Sequence, residues 1–245
     1  MPPFEAFQPQ NRRVLAVIAD DIAMMSAPES ANAARPVTAI DIAFEPDQAM
    51  TGHALAANAA LLKDFPNGYA LDATHHAHIS ILVGYVPNSD LPKVYAAAGE
   101  VFAKETYTAW QLTAFKYYYI PLGPVGLAGI VVKPTTDLLR LQSALHEAVG
   151  PYMAKTGTAA AFYTTPEEPE ILPVLIPGVG TYWEDNGGAK FSPHVTTGIG
   201  TKAFLDALLA EPFSTFTFSP ASASVYQFGN YGTARRQLKA FPARG

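Results

Sequence analysis

From residue 36 onward, apolar positions recur with the spacings of strands and helices. A β-rich run over 37–44 precedes an Ala- and Leu-rich stretch over 47–64, which predicts a helix. A second apolar run at 77–86 predicts a strand, and a helix is expected over 90–105. The strands that close this half are 110–120 and 127–132.

The second half repeats this order of elements. Apolar positions at helical spacing predict a helix over 135–154, and a Pro- and Gly-rich region, 164–190, leads to a strand at 191–199. The last predicted elements are a helix at 201–210 and strands at 213–219 and 222–229. The shared order suggests a pseudo-repeat, but identity between the halves is too low to prove a duplication. The strand that should precede 191–199 is poorly marked.

Two short histidine motifs, His78-Ile79-Ser80 and His194-Val195-Thr196, lie within the two matching strands. Successive side chains on a strand point to opposite faces, so residues two apart share a face. Each motif therefore presents an imidazole beside a hydroxyl. If the two strands face each other, the motifs form one site with two proton-transfer groups and two hydroxyl donors.

Such a site suits the cleavage of a phosphodiester without a metal ion. An imidazole has an unperturbed pKa close to neutrality, so one neutral histidine can take a proton from water while a protonated one donates to the leaving oxygen. The hydroxyls would hydrogen-bond the non-bridging phosphate oxygens as their charge grows. The alternative is that each histidine is an ordinary strand residue whose hydrogen bonds are satisfied within the fold.

Composition and charge narrow the class of partner. The 245 residues are 49% hydrophobic and 15% charged, which is typical of a globular protein with a substantial core. The formal net charge of −5 argues against strong non-specific binding to nucleic acid and favours a small ligand. No cysteine is present, which excludes disulfides and thiolate metal ligands. No apolar run is long enough to predict a membrane span.

Residues 1–35 are treated apart from the predicted domain. Arg12-Arg13 precedes the apolar stretch 14–19, which resembles an export signal, but Asp20-Asp21 interrupts it. The segment is therefore either a degenerate export signal or an N-terminal extension. Localisation stays open between the cytoplasm and export to the periplasm.

The two motifs and their surroundings resemble the 2H phosphoesterase superfamily, which includes the 2′-5′ RNA ligase-like proteins. The segments that carry the resemblance are Gly68–Ser80, Phe191–Gly198 and Ser224–Ala234. The resemblance implies one α+β domain over 36–240. Its expected form is bilobal, with two pseudo-symmetric lobes of antiparallel sheet and outer helices around a central cleft.

The resemblance also implies roles for the motif residues. His78 and His194 would be the catalytic pair, and Ser80 and Thr196 would bind the phosphate, although threonine is commoner than serine at the first of these positions. The implied substrate is a small cyclic 2′,3′ or 2′-5′-linked nucleotide phosphodiester, or a short RNA, with no cofactor. A non-catalytic nucleotide-binding protein and an RNA 2′-5′ ligase are the alternatives. A monomer is expected.

Three further residues are candidates for contact with substrate. Tyr117 and Tyr119 share one face of a predicted strand and could line the cleft or stack on a base, although packing within the sheet is the alternative. Lys190 could neutralise phosphate, although a solvated loop lysine is the simpler interpretation. Arg235 and Arg236 are expected to be surface charges.

The histidines at 75, 76 and 78 form a cluster that raises the question of a metal site. The first two would point in opposite directions on an extended chain, and no carboxylates repeat nearby at metal-ligand spacing. The second motif has no matching cluster. We therefore predict no metal site.

Overall fold

The computed structural model describes residues 36–243, and the predicted extension at 1–35 lies outside the described residues. The described part is an α+β structure with two four-stranded antiparallel sheets and helices packed around them. The α+β class predicted from the sequence is therefore confirmed. No helix in this part is both long and apolar enough to span a bilayer.

The elements follow the predicted order closely. The strands are β1 (Val37–Pro46), β2 (Ile79–Pro87), β3 (Leu112–Leu122), β4 (Val125–Val132), β5 (His194–Thr201), β6 (Phe216–Phe218), β7 (Pro220–Phe228) and β8 (Ala234–Phe241). The helices are α1 (Gln48–Asp64), α2 (Leu91–Phe102), α3 (Thr136–Val149), α4 (Leu175–Gly180), α5 (Tyr182–Asn186) and α6 (Lys202–Ala210). The pattern did not predict β8, nor the two short helices α4 and α5 in the Pro- and Gly-rich region.

Side-chain caps fix where the two long helices begin. The Asp47 carboxylate accepts hydrogen bonds from the backbone N–H groups of Ala49 and Met50 at the start of α1. The Thr135 hydroxyl accepts one from Leu138 at the start of α3. These bonds satisfy N–H groups that have no partner within the helix, so both helices start where the sequence predicted.

Each sheet takes strands from both halves of the chain. The order in the first sheet is β2-β1-β7-β8, and in the second it is β5-β4-β3-β6. The two strands that carry the histidine motifs therefore occupy equivalent edges. The strand that the second half lacked is β4, which was predicted at 127–132 but assigned to the first half; it pairs with β5 as β1 pairs with β2.

Matching β-bulges support this equivalence. The register between β1 and β2 shifts directly before Ala43, which pairs with Ser80. The register between β4 and β5 shifts directly before Gly129, which pairs with Thr196. A bulge changes where the neighbouring side chains point. Both motif hydroxyls therefore lie at the same kind of irregularity in their sheets.

The helices connect the two sheets. Helix α1 follows β1 of the first sheet but packs against β5 of the second, and α3 follows β4 of the second sheet but packs against β2 of the first. Ile81 of β2 and Val195 of β5 are fully buried in one continuous apolar core. Burial of such side chains stabilises the fold by about 1.5–3 kcal/mol each, which holds the two motif strands in place.

Candidate functional site

The two histidine motifs meet at one cavity of about 320 Å³. His194 begins β5 and His78 directly precedes β2, and both line the cavity. Ser80 and Thr196 line it too. The structure therefore brings together the four residues that the motifs singled out, which lie far apart in the chain.

His78 faces a hydrogen-bond acceptor at each ring nitrogen. Its Nδ1 lies 2.8 Å from the backbone carbonyl oxygen of His76. Its Nε2 lies 3.2 Å from Asp41 Oδ2. Burial by itself would lower the pKa of His78, but the hydrogen bond and charge of Asp41 outweigh it and raise the pKa above its ordinary value. Both nitrogens carry a proton in this arrangement, which is the charged form of the ring and suits the ion pair with Asp41.

Asp41 is a site residue that the sequence analysis missed. Its side chain is fully buried on β1, and Oδ2 accepts a hydrogen bond of 2.8 Å from Ser80 Oγ. Its Oδ1 has no hydrogen-bond partner among the described residues. A buried carboxylate with an unpaired oxygen is costly unless a positive charge lies close by, and His78 supplies one. The available signal was a charged residue inside the apolar run 37–44.

His194 has the opposite electrostatic setting. Its Nδ1 lies 2.8 Å from the backbone carbonyl oxygen of Ser192, so Nδ1 carries the proton. No hydrogen bond occupies Nε2 in the described part of the chain. Burial lowers the pKa of His194, and the positive charge of His78 lowers it further, while the bond to Ser192 opposes both. The ring is therefore set up to be neutral, with a free lone pair on Nε2.

The difference between the two histidines arises from one pair of equivalent positions. Asp41 pairs with Val83, three residues beyond the hydroxyl of the first motif. Leu127 pairs with Ile199, three residues beyond the hydroxyl of the second. Leu127 thus stands in the second sheet where Asp41 stands in the first. One histidine has a carboxylate partner and the other does not.

Buried amides hold the two motif strands in matching fashion. Asn58 on α1 donates to the carbonyl oxygen of Thr197, three residues after His194, at 2.9 Å. Gln142 on α3 donates to the carbonyl oxygen of Ile81, three residues after His78, at 3.2 Å. The sequence analysis did not single out either amide, although a polar residue on the apolar face of a predicted helix is a usable signal.

Of the three consecutive tyrosines at 117–119, the one that lines the cavity is Tyr118. Its ring packs edge-on against His194, with 4.9 Å between the ring centroids, and it lines the cavity. Burial raises the pKa of Tyr118, so its hydroxyl stays protonated and can donate a hydrogen bond.

Tyr117 and Tyr119 lie on the other face of β3, as strand alternation predicted, and that face does not line the cavity. Tyr117 packs against Phe213, with 4.8 Å between the ring centroids. The hydroxyl of Tyr119 donates to Asp206 Oδ1 at 2.5 Å. The structure thus gives both rings local partners away from the two motifs.

Lys190 also lies away from the cavity lining. Its side chain is exposed, and Nζ donates to the backbone carbonyl of Glu184 at 2.6 Å. Arg236 is exposed, as expected. Arg235 is not a surface charge: it is 7% exposed and forms an ion pair with Glu168. Its position on β8, which the pattern did not predict, explains this difference.

The remaining histidines of the cluster take part in other contacts. His75 is buried, and its Nε2 lies 3.1 Å from Glu168 Oε1. The ring of His76 packs against Tyr226. Among residues 36–243, no group of three or more His, Asp or Glu side chains is arranged to hold a metal ion.

Comparison with known proteins gives a likeness in fold. No protein-family model matches the chain, and no curated protein matches it. The crystal structure of TT0787 of Thermus thermophilus is similar, with 18% sequence identity and a TM-score of 0.52 over 85% of this chain and 99% of that chain.

Two other solved structures are more distant. E. coli LigT complexed with ATP has 13% identity and a TM-score of 0.42, over 84% of this chain and 97% of that chain. Usb1 of Kluyveromyces marxianus has 9% identity and a TM-score of 0.41, over 83% of this chain and 98% of that chain. The similarity to TT0787, together with the two sheets and the paired motif strands, confirms the bilobal α+β fold that was expected from the sequence. The chain has a two-lobed α+β fold like that of TT0787.

Proposed function

We propose that this chain is a metal-independent phosphodiesterase that cleaves a small phosphodiester in the cavity between β2 and β5. The substrate that the resemblance implies is a 2′,3′-cyclic or 2′-5′-linked nucleotide. The observation that carries the proposal is the unlike state of the two histidines lining that cavity. His78 has an acceptor beside each ring nitrogen, whereas His194 has one only at Nδ1 and keeps a free Nε2.

In the proposed reaction His194 acts as the general base and His78 as the general acid. His194 Nε2 takes a proton from water as the water oxygen bonds to phosphorus. The bond from phosphorus to the leaving oxygen breaks, and His78 Nε2, whose 3.2 Å contact with Asp41 is an ion pair, donates its proton to that oxygen. The pair ends with its protonation states exchanged, and proton exchange with solvent restores them. The proton lost by water and the proton gained by the leaving group balance.

The hydroxyls have unequal roles in this proposal. Thr196 and Tyr118 line the cavity beside His194 and would donate to the non-bridging phosphate oxygens. The Ser80 hydroxyl already donates to Asp41. Ser80 would bind phosphate only by turning its proton away from Asp41, so we assign it chiefly to holding that carboxylate. Its role in phosphate binding remains a prediction from the motif.

The test is the activity of two single variants on 2′,3′-cyclic nucleotides in excess EDTA. His78→Ala and His194→Ala should each lower kcat/KM by about 10²–10⁴-fold, since each removes one proton-transfer group. His53→Ala is the matched control, because His53 is exposed and stacks on Phe216. Circular dichroism checks that the variants are folded. Full activity in either motif variant, or loss of wild-type activity in EDTA, would contradict the proposal.

A non-catalytic binding protein is the second candidate function. The cavity would then take up the same phosphodiester without cleaving it. Isothermal titration calorimetry alongside the activity assay separates the two, because binding without turnover supports the sensor. RNA ligation is less favoured, since the formal net charge of −5 opposes a large polyanion.

A further inference from the structure

The cavity has two chemically different ends. The end at the two motifs carries the polar groups described above together with Tyr182, whose hydroxyl donates to the Ser80 carbonyl oxygen; Asn186 and Tyr231 also line the cavity. The wall beyond it is aliphatic and comes from the β3–β4 hairpin on one side and the segment 172–179 on the other. Its residues are Ile120, Leu122, Leu172, Val174, Leu175 and Val179. A ligand held by its phosphate at the polar end would place its remaining atoms against this wall.

Within residues 36–243, one positive group lines the cavity. None of the described residues that line it is Lys, Arg, Asp or Glu, and its cation is the imidazolium of His78, which lies 3.2 Å from the Asp41 carboxylate. Lys190 is turned away to the carbonyl of Glu184. A ligand with a second phosphate would bring a second negative charge to a lining in which the described residues supply no further cation, so the lining suits one phosphoryl group better than two.

The aliphatic wall also lacks groups that read a polar ligand. A site that recognises a base edge needs donors or acceptors placed against it, and leucine, isoleucine and valine offer neither. Ile120 is 48% exposed and Val174 is 67% exposed, so large aliphatic side chains are left uncovered at the cavity. An apolar ligand group would remove this surface from water, which favours binding.

We infer that the preferred substrate is a phosphodiester with a single negative charge and an uncharged, apolar substituent that packs against the aliphatic wall. The inference rests on the proposed phosphodiester chemistry and narrows its substrate. A nucleotide with a further phosphate is a poorer match than a diester with an alkyl group. The cavity volume of about 320 Å³ limits the substituent to a small one.

The test is calorimetric binding of methyl n-alkyl phosphates, from methyl to hexyl, to the full chain. These diesters keep the charge constant and change only the apolar length. The dissociation constant should fall by about fourfold for each methylene buried, until the cavity is filled. The heat-capacity change of binding should become more negative along the series.

Two exposed wall residues provide variants that should fold. Val174→Ser and Ile120→Ser remove aliphatic surface, so the ratio of methyl to hexyl dissociation constants should fall several-fold. Leu209→Ser is the control, because Leu209 is similarly exposed at 46% on α6 and lies outside the cavity lining. It should keep the wild-type ratio.

The outcomes separate this inference from the proposed function. Turnover of 2′,3′-cyclic nucleotides is measured on the same preparation. Turnover together with affinities that do not rise with alkyl length, or with wall variants that behave like Leu209→Ser, overturns the inference alone. Steep length dependence without turnover of any diester overturns the phosphodiesterase proposal and leaves an apolar phosphodiester as the ligand. Neither binding nor turnover overturns both.

Discussion

At the residue scale, two copies of one motif differ because a single neighbouring position differs. Both histidines donate from Nδ1 to the carbonyl oxygen two residues earlier. Asp41 then lies beside the first, and Leu127 occupies the equivalent place in the other sheet. Two histidines whose pKa values are shifted in opposite directions are thereby produced from similar local sequences.

The contact between Asp41 and His78 predicts the effect of Asp41→Asn. The variant removes the carboxylate charge that raises the pKa of His78, so that pKa should fall and less of the ring should be protonated at neutral pH. A ¹⁵N NMR titration of the histidine rings measures the pKa of His78 in the variant and in the wild type. Asp137→Asn is the control, because Asp137 is exposed on α3. An unchanged His78 pKa in Asp41→Asn would disprove the assigned role.

The sequence predicted the motif residues but not their neighbours. The two-residue period of a strand is local, so His78 and Ser80 could be placed on one face from the motif alone. Asp41 becomes part of the site through the register between β1 and β2, which no local pattern specifies. The same limit explains the tyrosines: alternation separates Tyr118 from Tyr117 and Tyr119, but only the packing of the sheet decides which face meets the cavity.

At the element scale, buried amides on two helices hold the strands that carry the site. Besides its bond to Thr197, Asn58 donates to the Tyr69 carbonyl and accepts from the Leu71 N–H. Gln142 also accepts from the Gly188 N–H, in the segment that leads into β5. Each helix therefore fixes a loop as well as a motif strand.

We predict that Asn58→Ala and Gln142→Ala each lower the free energy of unfolding by roughly 2–4 kcal/mol. Each variant leaves several buried backbone groups without a partner, and each such group costs about 1–3 kcal/mol. Urea denaturation measures the change. Gln48→Ala, at an exposed position in the first turn of α1, should change it by less than about 0.5 kcal/mol. A loss no larger than that of the control would refute the role of the amides.

The long helices were predictable because their caps and apolar spacing are local signals. Strand β8 was not, because its sequence includes Arg235, Arg236, Gln237 and Lys239 and shows little apolar alternation. It lies at the edge of the first sheet, where charged side chains are common. Its backbone pairing with β7 creates the strand, and the burial of Arg235 against Glu168 follows from that pairing.

At the scale of the whole molecule, the two sheets have equivalent strand orders, as the pseudo-repeat suggested. Each sheet nevertheless takes strands from both halves of the chain. The pattern predicted two halves with the same elements. In the structure β7 and β8 return to the first sheet, and helices α1 and α3 each pack on the sheet opposite their preceding strand. Such pairings join distant segments, so hydrophobic periodicity does not specify them. The resemblance to a known fold predicted the two-lobed arrangement, and the similarity to TT0787 confirms that fold.

The pH dependence of kcat/KM for a 2′,3′-cyclic nucleotide tests the proposed acid–base pair most directly. Activity requires neutral His194 and protonated His78, so it should rise with pH through the lowered pKa of His194 and fall through the raised pKa of His78. The predicted profile is a bell whose limbs lie on either side of the ordinary histidine pKa of about 6.5. A profile without two limbs, or a bell that persists unchanged in His78→Ala, would contradict the account.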